Sequence, residues 1–203
     1  MINLLFFFFI IIPSAIIHEF AHAWAAFMLG DKTAKYFGRL TINPLAHLDL
    51  FGTILMPLFL FLISGGRFIF AYAKPVPFNP DNLKNQKYGP GIVGAAGPLS
   101  NLIVALIFGL MTRFLPISNY SLFLSIIVYA NVLLMVLNLI PLPPLDGSRI
   151  LFSLLSSSFR RYEIVLERYA FLLIFLFIFI IFPAIYPIIF FIFKLIVSRP
   201  FVF

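Results

Sequence analysis

The sequence predicts an all-α integral membrane protein, and three observations carry that prediction. Of the 203 residues, 63% are hydrophobic and only 10% are charged, whereas a soluble domain is nearer half apolar and a quarter charged. The apolar residues run in stretches long enough to cross about 30 Å of hydrocarbon as helices. The basic residues behind the net charge of +7 sit in short clusters between those stretches, the placement that the positive-inside rule produces. With 28 Phe, 8 Tyr and 1 Trp, there are too many aromatics to hide in one globular core of this length. The composition therefore excludes a soluble enzyme, and it excludes disorder, which needs low hydrophobicity and high charge. The expected partner is the lipid bilayer and not a nucleic acid. There is no cysteine, so neither a disulfide scaffold nor a thiol-ligated metal is expected. The length suits a single membrane-embedded domain over residues 1–203.

Leu4–Leu29 reads as the first spanning helix. No Lys or Arg precedes Lys32, and the apolar run continues into His18-Glu19 instead of a cleavage site, so a signal peptide is not expected. A basic stretch, Asp31 to Arg39, precedes the turn formers Thr41-Ile42-Asn43-Pro44. Leu48–Ile63 is apolar, is broken by Ser64-Gly65-Gly66-Arg67 and resumes as Phe68–Ala73. A polar loop runs from Lys74 to Tyr88. Gly91–Thr112 and Ser121–Leu139 have the length of spanning helices. The rigid Pro141-Leu142-Pro143-Pro144 turn leads into Asp146-Gly147 and a short helical stretch. Arg149–Arg168 sets four arginines against two glutamates. Phe171–Val197 is a last apolar run, interrupted by Pro183 and Pro187, and is either one kinked helix or a hairpin. The core covers about 4–155, with C-terminal membrane segments over about 165–198.

Charge placement constrains topology. The basic loops 31–39, 74–88 and 148–168 share a side only if residues 40–73 leave and return to that side. That segment is then re-entrant, or a short β-hairpin bent at Gly65-Gly66. Irregular backbone at membrane depth is tolerated where it is buried in protein or lines a wet cavity. A full crossing by Leu48–Ile63 alone would put the first two loops on opposite sides.

His18-Glu19-Phe20-Ala21-His22 is the most informative stretch. Positions i and i+4 share a helix face, so both imidazoles can bind one metal. Glu19 beside them can reach the metal's water as general base. The alternative is a buried polar network or a proton relay, but three ionisable groups midway along a membrane helix are expensive. A metal would offset that cost. Two histidines leave a catalytic zinc one protein ligand short. Asp31 and Asp81 lie in polar loops and are expected to face water, and Glu163 and Glu167 fit an ion-paired surface helix. His47 and Asp49 bracket the re-entrant segment and stay in play. Asp146 is the leading candidate, following a rigid turn at the end of an apolar helix. Its alternative job is to cap the helix that starts at Gly147.

These residues resemble the site-2 proteases, intramembrane zinc metalloproteases. The likeness rests on His18 to His22 and on Asn138-Leu139-Ile140-Pro141-Leu142-Pro143-Pro144-Leu145-Asp146-Gly147, in the family's order. Gly97-Pro98-Leu99-Ser100-Asn101 resembles the motif on the family's intervening helix. Gly38 to Asp49 and Lys74-Pro75-Val76-Pro77 resemble elements of a minimal prokaryotic subgroup. No segment has the length or polarity of a PDZ or CBS domain. The resemblance implies a three-helix catalytic core, one Zn2+ per chain on His18, His22 and Asp146, and Glu19 as base. It also implies hydrolysis of peptide bonds in membrane-spanning protein substrates, in a multi-pass protein of a prokaryotic cell membrane. Asn138 is then a candidate for binding the substrate backbone, or else an interhelical hydrogen bond. His47 is a candidate for the oxyanion, or else structural. Asn101 either serves the site or satisfies neighbouring backbone. Gly91, Gly94 and Gly97 form a small-residue stripe of the kind that packs helices closely. The rival functions are a catalytically inactive family member and a metal or proton transporter using the same donors.

Overall fold

The computed structural model describes residues 2–47, 55–63, 76–116, 118–156, 159–170, 172–173 and 182–198. The elements are α1 (Ile2–Met28), α2 (Thr33–Tyr36), α3 (Met56–Ile63), α4 (Gly89–Phe114), α5 (Asn119–Asn138), α6 (Asp146–Leu154), α7 (Arg160–Arg168) and α8 (Phe182–Val197). Single 3-10 turns lie at Pro44–Ala46 and Pro80–Asn82. Among the described residues, three segments are long and apolar enough to cross a membrane: Phe9–Met28, Gly89–Phe114 and Asn119–Asn138. They match the three spans expected from the sequence to within a few residues.

Local chemistry sets the helix limits. Pro90 sits in the first turn of α4, where a missing N–H costs nothing because that donor has no intrahelical partner. Ser118 begins α5 with a reciprocal capping box: its hydroxyl accepts the Ser121 N–H, and the Ser121 hydroxyl accepts the Ser118 N–H. The proline-rich turn stops α5, and α6 restarts the chain with Leu145 as its N-cap residue.

Helix α4 is the hub and packs against α1, α5, α6 and α8. In lipid, burying apolar side chains gains little over leaving them in hydrocarbon, so close packing and polar bridges must hold helices together. Both are present. Ala23 and Ala26 on α1 and Ala105 on α4 are fully buried. A Cβ added at Gly109 would overlap the Ile196 side chain of α8, so only glycine admits that approach. Ala105, Val128, Val132, Ile189, Phe193 and Ile196 form the core shared by α4, α5 and α8. Outward-facing Ile103, Ile107, Leu110 and Phe114 of α4 are exposed, as lipid-facing residues are.

Residues 48–54 and 64–75 lie outside the described residues, and with them Asp49 and the bend expected at Gly65-Gly66. The described part of that region holds α3, eight residues long. No strand occurs among the described residues. The flanking loops do meet: the Lys84 N–H donates to the Leu29 carbonyl at 2.9 Å, and Asn79 and Asn82 donate to Asp31. The 31–39 and 76–88 stretches thus lie at one end of the bundle. Of the final apolar run, Phe182–Val197 is a helix containing Pro187, and residues 174–181 lie outside the described set.

Candidate metal centre

The centre lies where α1, α4 and α6 meet. His18 and His22 face one way from α1, one turn apart, with their rings edge to face at 4.6 Å between centroids. Asp146 is the first residue of α6, and its carboxylate points at the histidines. His18 Nε2 lies 3.0 Å and His22 Nε2 3.1 Å from Asp146 Oδ2, and the two Nε2 atoms are 3.0 Å apart. All three side chains are buried. The third donor thus comes from a residue more than 120 positions away in the chain.

The hydrogen bonds behind the rings decide what those atoms are. His18 Nδ1 is 2.6 Å from Asn101 Oδ1 and His22 Nδ1 is 2.7 Å from the Val93 carbonyl. Both partners are acceptors, so each Nδ1 carries a proton, and in the neutral ring the Nε2 is left with the lone pair that can ligate. The Asn101 amide is itself oriented, because its Nδ2 donates to Asn131 Oδ1 at 2.9 Å and to the Ser14 carbonyl at 3.3 Å. Asn131 in turn donates to Ser14 Oγ and to the Ile127 carbonyl. Two imidazole lone pairs and a carboxylate oxygen therefore converge within 3.1 Å of one another in a buried place. A cation among the three would be met by all of them at once. Donors about 2.0–2.2 Å from a tetrahedral zinc lie roughly 3.3–3.6 Å apart, so the group is a few tenths of an ångström compact for zinc. Two His and one carboxylate are a known catalytic zinc set that keeps a fourth position open.

Glu19 stands beside the triangle. One donor atom each from His18, Glu19 and His22 lies within 4.8 Å of the others. Its Oε2 accepts the Val76 backbone N–H at 3.0 Å, which fixes the carboxylate. Arg149, one turn after Asp146, lies 3.4 Å from Asp146 Oδ1, with its guanidinium 4.9 Å over the Phe78 ring. The other carboxylate oxygen is thereby engaged while Oδ2 faces the histidines.

The glycine stripe has two functions. A Cβ at Gly91 or Gly94 would press on Ser153, or on Arg149 and the Asp146 carbonyl, so these two glycines let α6 lie against α4. A Cβ at Gly97 would overlap the Nε2 atoms of both His18 and His22. Gly97 is thus the floor of the donor triangle.

The remaining candidates are distributed differently. Asn101 is fully buried and spends its amide on His18, Asn131 and Ser14. His47 is buried, with Nε2 2.8 Å from the Thr41 carbonyl and with Nδ1 unpartnered among the described residues; it is not in the donor group. Asn138, at the end of α5, donates to the Leu134 carbonyl one turn back at 3.0 Å. Asp31, expected to face water, is instead fully buried. It accepts from the Thr33 N–H and hydroxyl, the Asn79 N–H and the Asn82 amide. Burial alone would raise its pKa; those donors outweigh it and hold the carboxyl below its ordinary value.

Comparison with known proteins identifies the family. The profile of peptidase family M50 matches residues 113–182. The chain is 39% identical over 172 residues to the protein named "Putative zinc metalloprotease YwhC" of Bacillus subtilis (strain 168), covering 80% of this chain and 74% of that one. It is 27% identical over 164 residues to "Putative zinc metalloprotease Rip2" of Mycolicibacterium smegmatis (strain ATCC 700084 / mc(2)155), covering 79% of this chain and 61% of that one. No solved structure matches. With three helices apolar and long enough to span a bilayer, the chain belongs to peptidase family M50, the site-2 proteases, which are membrane metalloproteases.

Proposed function

We propose that this protein is an intramembrane zinc endopeptidase that hydrolyses peptide bonds within the membrane-spanning segments of other proteins. His18, His22 and Asp146 would hold one zinc per chain, and Glu19 would be the general base. The observation that carries the reading is the buried convergence of the His18 and His22 Nε2 atoms on one Asp146 carboxylate oxygen, with each imidazole held at Nδ1 by an acceptor behind it. His18 lies nine residues from Phe9 and ten from Met28, the limits of the first span, so the centre sits about 15 Å from either end. A bond cut there belongs to a chain already in the membrane.

Bound in that triangle, zinc supplies a Lewis acid for the scissile carbonyl and lowers the pKa of water toward 7. Glu19 takes the proton from the attacking water and delivers it to the leaving amine, its carboxylate held in aim by the Val76 N–H. Asn101 and the Val93 carbonyl keep both histidines in the ligating tautomer. A substrate helix hides its carbonyls in i to i−4 hydrogen bonds and must unwind locally before attack. Asn138 and His47 are the candidates for contacting the extended substrate, and the 40–73 region for admitting it by re-entry. The same proposal makes the protein a multi-pass component of a prokaryotic cell membrane. An inactive binding protein would not need the Glu19 carboxylate, and a transporter would call for broken helices in paired repeats.

The test is Glu19→Gln. Gln keeps the shape but cannot accept the proton, so zinc content should stay at one per chain while cleavage of a model membrane helix falls by about two to four orders of magnitude. Turnover near wild type would remove Glu19 from the mechanism.

A further inference from the structure

Residues 76–84 cross the catalytic face as a strap with almost no structure of its own, only the single 3-10 turn at Pro80–Asn82. At one end the Val76 N–H holds Glu19 Oε2, and the Val76 side chain is buried against Ala23 and Ala34. Phe78 lies under the Arg149 guanidinium. At the other end Leu83 is buried with Ala26 and Val93, and the Lys84 N–H reaches the Leu29 carbonyl. Between these ends stands Asp31, which receives the Asn79 N–H at 2.7 Å and the Asn82 amide at 3.0 Å. A carboxylate is costly to bury unless its lone pairs are filled, and this one is filled by two donors from its own turn and two from the strap.

We propose that Asp31 is a positioning residue: it anchors the 76–84 strap, and through the strap's Val76 N–H it fixes the Glu19 carboxylate. This inference rests on the reading of Glu19 as the base. A segment without its own hydrogen-bond ladder loses order when its anchor goes, because fixing each residue costs about 1–2 kcal/mol of conformational entropy. Val76 then leaves Glu19 free to turn, and a misplacement of about 1 Å at a reacting group can cost 10²-fold in rate. The Asp31 carboxyl, held below the ordinary carboxylate range by its donors, stays charged at neutral pH and keeps both strap contacts.

The test uses the 203-residue chain in nanodiscs, comparing wild type, Asp31→Ala and Asn82→Ala. The readouts are zinc content, kcat and KM on a model membrane helix, and hydrogen exchange of the 76–84 amides with and without zinc. Asp31→Ala should keep one zinc per chain, lose about tenfold to a hundredfold in kcat with KM within about threefold, and exchange the Val76 amide at least about tenfold faster in both metal states. Unchanged exchange, or wild-type kcat despite faster exchange, would each overturn the proposal. Should Asp31→Ala fail to fold, Asn82→Ala removes one contact from an exposed residue; wild-type exchange and kcat in that variant would also overturn it. Failure of the Glu19 reading shows separately, as cleavage by Glu19→Gln with the strap's exchange behaviour intact.

Discussion

Gly97→Ala should abolish zinc binding while leaving the bundle assembled. A Cβ at Gly97 would lie 2.5 Å from His18 Nε2 and 2.6 Å from His18 Cε1, and would overlap His22 Nε2 as well. Ordinary contact for a Cβ starts near 3.4 Å, so His18 Nε2 must retreat by about 3.4 − 2.5 = 0.9 Å. Metal–ligand distances tolerate only about 0.2 Å. Neither ring can retreat freely, since Asn101 holds one from behind and the Val93 carbonyl the other. Two of three ligands are displaced at once. A loss of at least a hundredfold in zinc affinity is expected, about 2.7 kcal/mol at 1.36 kcal/mol per decade. The assay is zinc per chain by elemental mass spectrometry after equilibration with graded chelator. Gly109→Ala is the control: its Cβ strikes Ile196 of α8, so it should lower thermal stability and keep its zinc. If Gly97→Ala retains one zinc at wild-type affinity, the donor triangle is not the metal site.

Asn101→Leu removes the acceptor that fixes the His18 tautomer and should weaken zinc binding by about tenfold to a hundredfold, read in the same chelator competition. Asp146→Ala removes the third donor and should lose most bound zinc; full occupancy together with full cleavage would end its assignment as a ligand. Single cysteines at Lys35 and Lys84, in a chain that otherwise has none, should label from the same side of the membrane, because Lys84 is bonded to the turn that ends α1. Labelling from opposite faces would mean that the strap does not return to α1.

The sequence carried the spans and the donor set because each has a local signature. A run of about twenty apolar residues has few alternatives in water or lipid, and the i, i+4 spacing of His18 and His22 puts them on one face whatever surrounds the helix. Asp146 was ambiguous between ligand and cap for a physical reason: both jobs suit a carboxylate at a helix start. Leu145 is the N-cap residue and the Asp146 carboxylate lies on the imidazoles. Other features had no local signal. Asp31 reads as a water-facing loop residue because two of its four donors lie about fifty positions away. The Val76 contact to Glu19 is made by backbone, and no side chain advertises it. Gly97 resembles Gly91 and Gly94 in the stripe, and only the folded chain separates the glycine that clears the imidazoles from those that admit α6.

The polar residues of the bundle interior serve stability and chemistry through the same bonds. Asn101 links α4 to His18 and Ser14 of α1 and to Asn131 of α5, and Asn131 returns to Ser14. These are the interhelical hydrogen bonds that lipid-embedded helices use where the hydrophobic effect offers little. They are also the bonds that turn His18 Nε2 toward Asp146. Because α1, α4 and α5 are joined behind the donor triangle and not through it, the bundle does not depend on a metal to close it, unlike a small zinc domain that folds only around its ion. The donors are held ready at spacings slightly compact for zinc, with the Gly97 floor below them and the Glu19 carboxylate fixed beside them. The bonds behind the triangle hold this framework about 15 Å from either limit of the Phe9–Met28 span.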